Sequence, residues 1–168
     1  MISKLKIKRI ANKLVITDSI EKHSIFLLDG LTGSGKTEVY MSVMESVIKQ
    51  KKQCLVLLPE IGLTPQIIQR FKNRFEVDMA IQHSGLSDIE RFKYWQDAKT
   101  GKAKIILGTR SAVWTPLKKP GIYIVDEEHD LSYKQRSGFQ YSARDLIIVR
   151  AKRDGVPIVL GSATPSLE

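Results

Sequence analysis

The residues with the clearest chemical meaning form a glycine loop that ends in a lysine and a threonine. Residues 30–37 read Gly-Leu-Thr-Gly-Ser-Gly-Lys-Thr, between the apolar run 25–28 and a helical pattern that begins at Glu38. They match the G-x-x-x-x-G-K-[ST] phosphate loop at every required position. Glycines let successive backbone N–H groups form an anion-binding nest, and the next helix directs its positive dipole end at the same phosphates. The loop therefore predicts nucleotide binding.

Within this loop each polar residue has an expected partner. We expect Lys36 to reach the β- and γ-phosphates and Thr37 to ligate Mg²⁺. The alternative is an ordinary glycine-rich turn, but with glycine near 7% of average usage a chance match is on the order of 1%. The predicted nucleotide contacts are Gly30, Thr32, Gly33, Ser34, Gly35, Lys36, Thr37 and Glu38.

A pair of acids follows a second apolar run. Residues 122–127 read Ile-Tyr-Ile-Val-Asp-Glu, the form of a Walker B element. We expect Asp126 to hold Mg²⁺, directly or through water, and Glu127 to orient and deprotonate the attacking water. The alternative is an acidic turn after a buried strand. The phosphate loop upstream favours the catalytic interpretation.

The elements that must position these residues alternate along the chain. Short apolar runs alternate with amphipathic segments from Ser24 onward, which predicts βα units and a parallel sheet. Ligand sites in such folds gather at the carboxyl ends of the strands, where the distinctive residues recur. The predicted strands cover residues 24–29, 53–58, 77–82, 103–107, 121–125 and 157–160. The predicted helices cover 37–50, 65–75 after an N-cap at Thr64, a segment that begins with the capping box 87–90, and 142–153 with its N-cap at Ser142.

Other residues have plainer interpretations. The single cysteine, Cys54, lies in an apolar run and is expected to be a buried small hydrophobe. Ile89, Phe92 and Trp95 share one face of a predicted helix and are expected to belong to the core. Residues 1–20 fit either an edge strand or a short helix, and the pattern does not choose between them.

Length and charge bound the possible functions. The 168 residues suit one α/β lobe, and no apolar run has the length of a membrane span or signal-peptide core, so we expect a soluble intracellular chain. A formal charge of +9 indicates attraction to a polyanion, of which nucleic acid is the common intracellular example. Charge alone is weak support for this partner.

Six blocks of the sequence resemble helicase motifs in the expected order. They cover residues 33–40, 59–64, 83–87, 108–112, 126–130 and 161–165. They resemble motifs I, Ia, Ib, II and III of superfamily 2 helicases, together with one further block. Three details make the chain similar to the primosomal replication-restart helicases in particular. These are Glu-Val-Tyr at 38–40, Asp-Glu-Glu-His-Asp at 126–130 before Ser-Tyr-Lys-Gln at 132–135, and Ala-Arg-Asp at 143–145.

This resemblance, over roughly residues 25–168, implies a fold and an activity. The fold would be a RecA-like P-loop NTPase lobe, with a three-layer, doubly wound, mainly parallel sheet over residues 21–168. The activity would be ATP-dependent, 3′ to 5′ DNA helicase action in replication restart, with ATP and Mg²⁺ as cofactors. Implied partners are single-stranded or forked DNA, a second helicase lobe, and primosome and single-strand-binding proteins. The implied location is the bacterial cytoplasm, at the nucleoid.

Residue roles follow from the same resemblance. His129 matches a histidine that links the γ-phosphate site to motif III, here Ser162 to Thr164, and it joins Lys36, Asp126 and Glu127 as a catalytic residue. DNA-contacting positions are Pro59, Thr64, Thr109, Arg110 and Ser111. The loop 133–141 is similar to an aromatic-rich loop that stacks unpaired bases, through Lys134, Phe139 and Tyr141. The alternatives are a packing histidine, a surface arginine, and a mobile loop whose rings fold back on the lobe.

Several departures from the family pattern limit these expectations. Motifs of the second lobe, the cysteine-rich zinc region and an N-terminal DNA-binding domain have no counterpart in these residues, so we expect a first lobe that hydrolyses ATP weakly. No glutamine precedes the phosphate loop, the first being Gln50, which leaves adenine selectivity open. Alternative functions are a duplex DNA translocase lobe, a P-loop kinase for a small molecule, and a catalytically silent binding module.

Overall fold

A seven-stranded sheet forms the centre of the molecule, which is a computed structural model that describes residues 2–6, 15–20, 22–31 and 33–163. The sheet strands are β1 (Ile2–Lys6), β2 (Ile25–Asp29), β3 (Gln53–Leu57), β4 (Met79–Gln82), β5 (Ile105–Gly108), β6 (Pro120–Val125) and β9 (Ile158–Ser162). Their spatial order is β1-β2-β9-β6-β3-β5-β4, and every neighbouring pair is parallel. Parallel pairing requires crossover connections, which the helices supply.

In the described part of the chain, four helices of ten or more residues cover the two faces of the sheet. They are α1 (Lys36–Lys49), α2 (Pro65–Arg74), α3 (Asp88–Thr100) and α4 (Ala143–Asp154). Each predicted N-cap is present: Thr64, Ser87 and Ser142 all accept a hydrogen bond from a backbone N–H of the first turn. Ser87 and Glu90 form the complete predicted capping box. The helices therefore begin where the sequence predicted.

Two apolar layers confirm the predicted three-layer, doubly wound fold. Helices α1 and α2 bury residues such as Met44 and Phe71 against one face of the sheet. Helices α3 and α4 bury smaller residues such as Ala98 and Ala151 against the other face. The central strand β3 is buried along its whole length, as expected of a parallel strand covered on both sides. Cys54 lies on this strand as a fully buried free cysteine, as predicted.

Gln53 ties three connections together at the amino end of the sheet. Its side-chain amide donates to the carbonyls of Ala98 and Ala103, at 2.9 and 2.7 Å. Its Oε1 accepts from the backbone N–H groups of Lys118 and Lys119, at 2.8 and 3.0 Å. All four hydrogen-bonding positions of this amide are thus used, which explains how a glutamine is fully buried.

The N-terminal segment contributes an edge strand. The sequence left residues 1–20 open between strand and helix, and the structure places β1 parallel to β2. Ile16 and Ile20 are buried in the same core cluster as α1. The rest of the possible helix, residues 10–14, lies outside the described residues. No helix in the described part of the chain has the length and apolar character needed to cross a membrane.

The predicted core face of α3 is wrong. Ile89 is 83% exposed, Phe92 is 65% exposed and Trp95 is only partly buried. The helix instead packs through Ala98, with Tyr94 partly buried beside it. Phe92 and Trp95 stack on each other with ring centroids 6.5 Å apart, and Lys99 lies over Trp95 at 4.6 Å. The apolar stripe of this helix therefore faces solvent.

Candidate functional site: a cleft at the strand ends and an aromatic surface beside it

The cleft forms where three neighbouring strands end. Strands β2, β9 and β6 are adjacent in the sheet, and they lead into Gly30, Ser162 and Asp126. The backbone joins these ends, since Gly30 N donates to Ser162 O at 3.0 Å and Glu128 N donates to Gly161 O at 2.9 Å. Segments far apart in sequence thus meet at one edge, as expected for a doubly wound sheet.

The glycine loop takes the conformation that its sequence predicts. Gly33 and Gly35 have φ values of 79° and 95°, which favour glycine. Gly35 is also the N-cap of α1 and offers no side chain to its first amides, so the positive end of the helix opens onto the loop. Among the described residues, Ser34 Oγ is a buried hydroxyl without a hydrogen-bond partner. A buried orphan hydroxyl beside a helix N-terminus fits a loop that binds an anion.

Lys36 joins the loop to the acidic strand end. Its side chain is only 6% exposed, and its Nζ donates to Gly30 O at 2.8 Å. The same Nζ lies 3.1 Å from Glu127 Oε1. A cleft of about 260 Å³ surrounds this pair, and its walls are Gly33, Gly35, Lys36, Thr37, Glu38, Arg70, Asp126 and Glu127. The structure therefore brings the two predicted motifs, 90 residues apart, to one cavity.

Asp126 is held by two tyrosines. Tyr40 Oη donates to Asp126 Oδ1 at 2.9 Å, and Tyr133 Oη donates to the Asp126 carbonyl at 2.6 Å. Burial raises the pKa of Asp126, while the hydrogen bond from Tyr40 acts in the opposite direction. Burial also raises the pKa of Tyr40 well above its usual value, and the Asp126 charge raises it further. Tyr40 is therefore a permanent hydrogen-bond donor to this carboxylate.

Glu127 has an uncommon backbone conformation for a residue with a side chain. Its φ of 44° lies in the left-handed region, which costs energy outside glycine and is found at functional sites. This conformation directs Oε1 to Lys36, while Oε2 accepts a 3.3 Å hydrogen bond from Ala163 N. Glu127 thus contacts both the phosphate loop and the segment after β9.

His129 lies against that same segment. Its Nδ1 is 2.8 Å from Ser162 Oγ and 3.8 Å from Glu127 Oε2. The structure therefore brings together the histidine and the motif III serine that the family resemblance links. Thr32 and Thr164, the other predicted members of these two segments, lie outside the described residues.

The oxygen donors of the cleft suit magnesium that is shared with a phosphate. Mg²⁺ is usually held by one or two carboxylates together with substrate phosphates, and it retains several waters. Thr37 and Asp126 both line the cleft. No group of three or more His, Cys, Asp and Glu side chains within the described ranges could hold a metal by itself. This donor set fits a magnesium–nucleotide complex better than an ion bound by the protein alone.

The predicted DNA-contacting positions divide by exposure. Pro59 and Thr109 are buried, so their side chains do not reach the surface, and a DNA contact there would have to use the backbone. Thr64 is partly exposed and caps α2. Ser111 is exposed. Only the exposed positions of this set offer side chains to a ligand.

Arg110 has a partner that the sequence did not indicate. Its Nη1 donates to the carbonyls of Ser132 and Lys134, at 3.1 and 3.2 Å. These carbonyls belong to the segment that enters the aromatic loop. Arg110 therefore anchors the base of that loop, which is a different contact from the predicted one with a DNA phosphate.

Two short strands pair at the base of the aromatic loop and close it into a hairpin. Strands β7 (Lys134–Gln135) and β8 (Tyr141–Ser142) pair antiparallel. Tyr133, at the start of the loop, is buried and holds Asp126, so it is not one of the exposed rings. At the tip, Phe139 is 76% exposed and its ring lies 6.1 Å from that of Tyr141.

Trp114 completes this aromatic surface. It lies on a short 3₁₀ helix, Arg110–Trp114, and is 54% exposed. Its ring centroid is 5.3 Å from that of Tyr141, edge-on, and 6.4 Å from that of Phe139. We call Trp114, Phe139 and Tyr141 the aromatic triad. The sequence analysis missed Trp114 because it is 25 residues from Phe139 and no local pattern joins them.

Tyr40 is the second residue that sequence reasoning missed. The available signal was its spacing, because Lys36 and Tyr40 are four residues apart on α1 and so share a face. Both side chains are buried and both reach the end of β6. This spacing places Tyr40 on the same face of α1 as Lys36, but it does not identify Asp126 as the partner of Tyr40.

Known proteins similar to this chain include replication restart protein PriA from several bacteria. The chain is 52% identical to PriA of Haemophilus influenzae over 145 residues, which are 86% of this chain and 20% of that protein. It is 46% identical to PriA of Bacillus subtilis over 148 residues, which are 88% of this chain and 18% of that protein. The chain thus spans about a fifth of the length of these relatives.

Solved structures with the same fold include a helicase domain and a DNA-bound protein. The Hef helicase domain of Pyrococcus furiosus matches with a TM-score of 0.64 at 23% identity, over 95% of this chain and 33% of that chain. RecG bound to a three-way DNA junction matches with a TM-score of 0.61 at 20% identity, over 96% of this chain and 22% of that chain. At these identities the likeness shows the fold alone, here the expected RecA-like α/β lobe.

A match to a protein-family model shows which family the chain belongs to. Residues 10–168 match the model described as DEAD/DEAH box helicase, a family whose members generally use a nucleotide and magnesium. The match includes the glycine loop, the Asp126–Glu127 strand end and the segment of Ser162. With its cleft, its sheet order and this match taken together, the chain belongs to the DEAD/DEAH box helicase family.

Proposed function

We propose that this chain is the ATP-binding motor lobe of a DNA helicase that acts in replication restart. The observation that carries the proposal is the contact between Lys36 and Glu127, at 3.1 Å, because it brings a phosphate-binding loop and a catalytic acid to one cleft. The identity of 46 to 52% with two PriA proteins supports replication restart over other helicase roles. Family membership favours a helicase over the alternative of a small-molecule kinase.

In this proposal the cleft binds Mg²⁺-ATP. The loop amides from Gly30 to Lys36 and Lys36 Nζ would hold the phosphates, and Thr37 and Asp126 would hold the ion. Bound magnesium would neutralise charge on the transferred phosphoryl group. The Lys36–Glu127 pair supports this role because the residues that contact the phosphates and the water already face each other. The first glutamine of the sequence, Gln50, follows the loop, so no upstream glutamine explains a selectivity for adenine.

Hydrolysis depends on Glu127 and on a coupling segment that His129 contacts. Glu127 orients the attacking water and accepts its proton, which is the task of the acid at this position in phosphoryl transfer. His129 and Ser162, 2.8 Å apart, carry the state of the phosphate site to motif III and so to the DNA side. Thr164 belongs to the same proposed coupling segment.

The DNA side of the lobe lies at the aromatic triad. The exposed rings of Trp114 and Phe139, with the partly buried ring of Tyr141 beside them, offer faces on which unpaired bases can stack without regard to sequence. Ser111 and Lys134 lie near this surface on the segments that carry the rings. The formal charge of +9 attracts the phosphate backbone. The proposed ligand is therefore single-stranded DNA, or the single-stranded arm of a fork.

The activity of the whole protein needs more than this lobe. The relatives are about five times longer than the matched segment, and a second helicase lobe in them would complete the ATP site. An arginine reaching the site from elsewhere is worth roughly 10³ to 10⁵ in rate in comparable enzymes. We propose weak hydrolysis by this chain alone, 3′ to 5′ movement by the complete protein, and primosome and single-strand-binding proteins as its partners.

Nucleotide binding tests the core of the proposal. Titration with a fluorescent ATP analogue in magnesium is expected to give saturable binding that Lys36→Ala reduces at least about thirtyfold, since Lys36 supplies a charge-assisted contact. Lys49→Ala is the matched control, because Lys49 lies in the last turn of the same helix, away from the cleft. Equal affinity of Lys36→Ala and Lys49→Ala would contradict the assignment of the phosphate loop.

A further inference from the structure

Tyr40 occupies a position that the proposed chemistry does not yet use. It lies one turn after Lys36 on α1 and is only 2% exposed. Its hydroxyl reaches across the core to Asp126 Oδ1, at 2.9 Å, although the two residues are 86 positions apart. A buried tyrosine could satisfy its hydroxyl in many ways, and this one uses the acid that faces the nucleotide cleft.

Strand β9, the neighbour of β6 in the sheet, leaves room for the hydrogen bond between Tyr40 and Asp126. Gly161 lies on β9, between β2 and β6, and a Cβ atom there would overlap Tyr40 Oη and lie 2.9 Å from Tyr40 Cζ. Gly161 is not among the glycines with positive φ, so its backbone does not require glycine. The reason for glycine at this position is therefore space for the Tyr40 hydroxyl.

The backbone of Asp126 is fixed independently of Tyr40. Its N–H donates to Leu57 O at 2.9 Å, and its carbonyl accepts from Tyr133 Oη at 2.6 Å. With the backbone held on both sides, rotation of the carboxylate is the main remaining freedom. Tyr40 engages one carboxylate oxygen and so restrains the rotation of a group that lines the nucleotide cleft.

We propose that Tyr40 is a positioning residue that orients the Asp126 carboxylate for magnesium, in the space that Gly161 provides. The inference rests on the proposed nucleotide site and adds a residue to it. Groups that hydrogen-bond a metal ligand typically change metal affinity by about 10 to 100-fold when they are removed. Tyr40 acts through Asp126 and does not itself contact the nucleotide.

The test separates positioning from general stability. Affinity for a fluorescent ATP analogue is measured for the 168-residue chain in saturating magnesium and again in excess EDTA. Tyr40→Phe is expected to lose about tenfold in magnesium and less than about twofold in EDTA, because only the ion uses the oriented carboxylate. Equal losses in the two conditions, or no loss in magnesium, would overturn the inference.

Tyr123→Phe is the matched control. Tyr123 is also a buried tyrosine whose hydroxyl donates to an aspartate, Asp154, but it lies on the other face of the sheet. The Tyr123→Phe substitution should lower the melting temperature and leave the affinity for the ATP analogue unchanged in magnesium and in EDTA. If Lys36→Ala loses nucleotide while Tyr40→Phe matches Tyr123→Phe, only the role of Tyr40 fails. If the wild-type chain and Lys36→Ala bind equally, the nucleotide site fails as well.

A double-mutant cycle checks the geometry without any ligand. Gly161→Ala is expected to lower the melting temperature by about 4 to 8 °C, as overpacking of a core does. In the Tyr40→Phe background the same change should cost about half as much, because the overlapping hydroxyl is gone. Strictly additive shifts would mean that Gly161 does not serve Tyr40, and would overturn that part of the inference.

Discussion

The cleft and the aromatic triad are held in different ways. In the cleft, Lys36, Asp126 and Glu127 are each fixed by named polar contacts between 2.6 and 3.3 Å. In the triad, ring centroids lie 5.3 to 6.4 Å apart and the rings remain substantially exposed at Trp114 and Phe139. The cleft holds its charged groups by hydrogen bonds and an ion pair, whereas the triad only brings aromatic rings into loose contact.

The difference matches what each proposed ligand requires. Phosphoryl transfer depends on charges placed in advance, because small displacements of a catalytic group cost much of the rate. Stacking of bases is tolerant, because every base has a face and the strand must move past the rings. We therefore expect substitutions in the cleft to have large, specific effects, and substitutions in the triad to have moderate effects on DNA alone.

Glu127→Gln should show the largest effect after loss of the phosphate loop itself. The amide keeps the size of the side chain but cannot accept a proton, so ATP hydrolysis in the presence of single-stranded DNA should fall at least about 100-fold. Nucleotide affinity should change little. Single-turnover hydrolysis measures the first quantity and fluorescence titration the second. Glu76→Gln, at an exposed acid outside the six helicase blocks, is the control. Unchanged hydrolysis in Glu127→Gln would remove Glu127 from the catalytic role.

Trp114→Ala should weaken DNA binding more modestly. Loss of one stacking ring costs about 1 to 3 kcal/mol, so affinity for a labelled oligothymidine should fall about tenfold at fixed salt, with no change in nucleotide affinity. Phe139→Ala with Tyr141→Ala should weaken it further. Fluorescence anisotropy gives both values. Phe92→Ala is the control, because it removes an exposed ring of α3 that lies outside the triad. Equal losses in Phe92→Ala and Trp114→Ala would show that the triad is not the specific surface.

Arg110→Lys separates two roles of one cation. Lysine keeps the charge but lacks the rigid planar guanidinium group, whose Nη1 donates to both the Ser132 and Lys134 carbonyls. We expect amide hydrogen exchange in residues 132–142 to accelerate and DNA affinity to fall about threefold, with the salt dependence preserved. If exchange is unchanged and the salt slope falls by about one, Arg110 contacts a phosphate and does not anchor the loop.

Changes on the exposed face of α3 should have the smallest effect. Ile89→Ser and Phe92→Ala remove side chains that are 83% and 65% exposed, so the free energy of unfolding should change by less than about 0.5 kcal/mol. Chemical denaturation measures this change. Ala98→Ser, on the buried face of the same helix, should cost more because it places a hydroxyl in the core. A larger loss for Phe92→Ala than for Ala98→Ser would reverse this assignment of faces.

What the sequence predicted well is local. The glycine loop, the acids after β6 and the helix caps each depend on neighbours within a few residues, so their spacing carries the information. The strand-end cleft followed from the general rule for doubly wound sheets. Local motif spacing and the strand-end rule were together enough to predict that Lys36 and Asp126 line one cavity.

What the sequence could not supply is pairing across the fold. Nothing near Tyr40 specifies Asp126, and nothing near Trp114 specifies the loop of Phe139, because both contacts depend on how separate elements pack. The core face of α3 was wrong for a related reason. Periodicity finds an apolar stripe, but the small Ala98 lets the backbone approach the sheet, and that face is the one that packs.

The order of the strands also has a consequence for biosynthesis. Strand β9 lies between β2 and β6, so residues 158–162 join a pair of early strands to the remaining four. Until residues 158–162 have left the ribosome, the nascent chain contains two separate ribbons, the β1–β2 pair and the four strands from β6 to β4 in the sheet order. Both ribbons have unpaired edges, which promote aggregation. Premature termination before Ile158 would therefore leave both ribbons unjoined, and would remove the contacts that Ser162 and Ala163 make with His129 and Glu127.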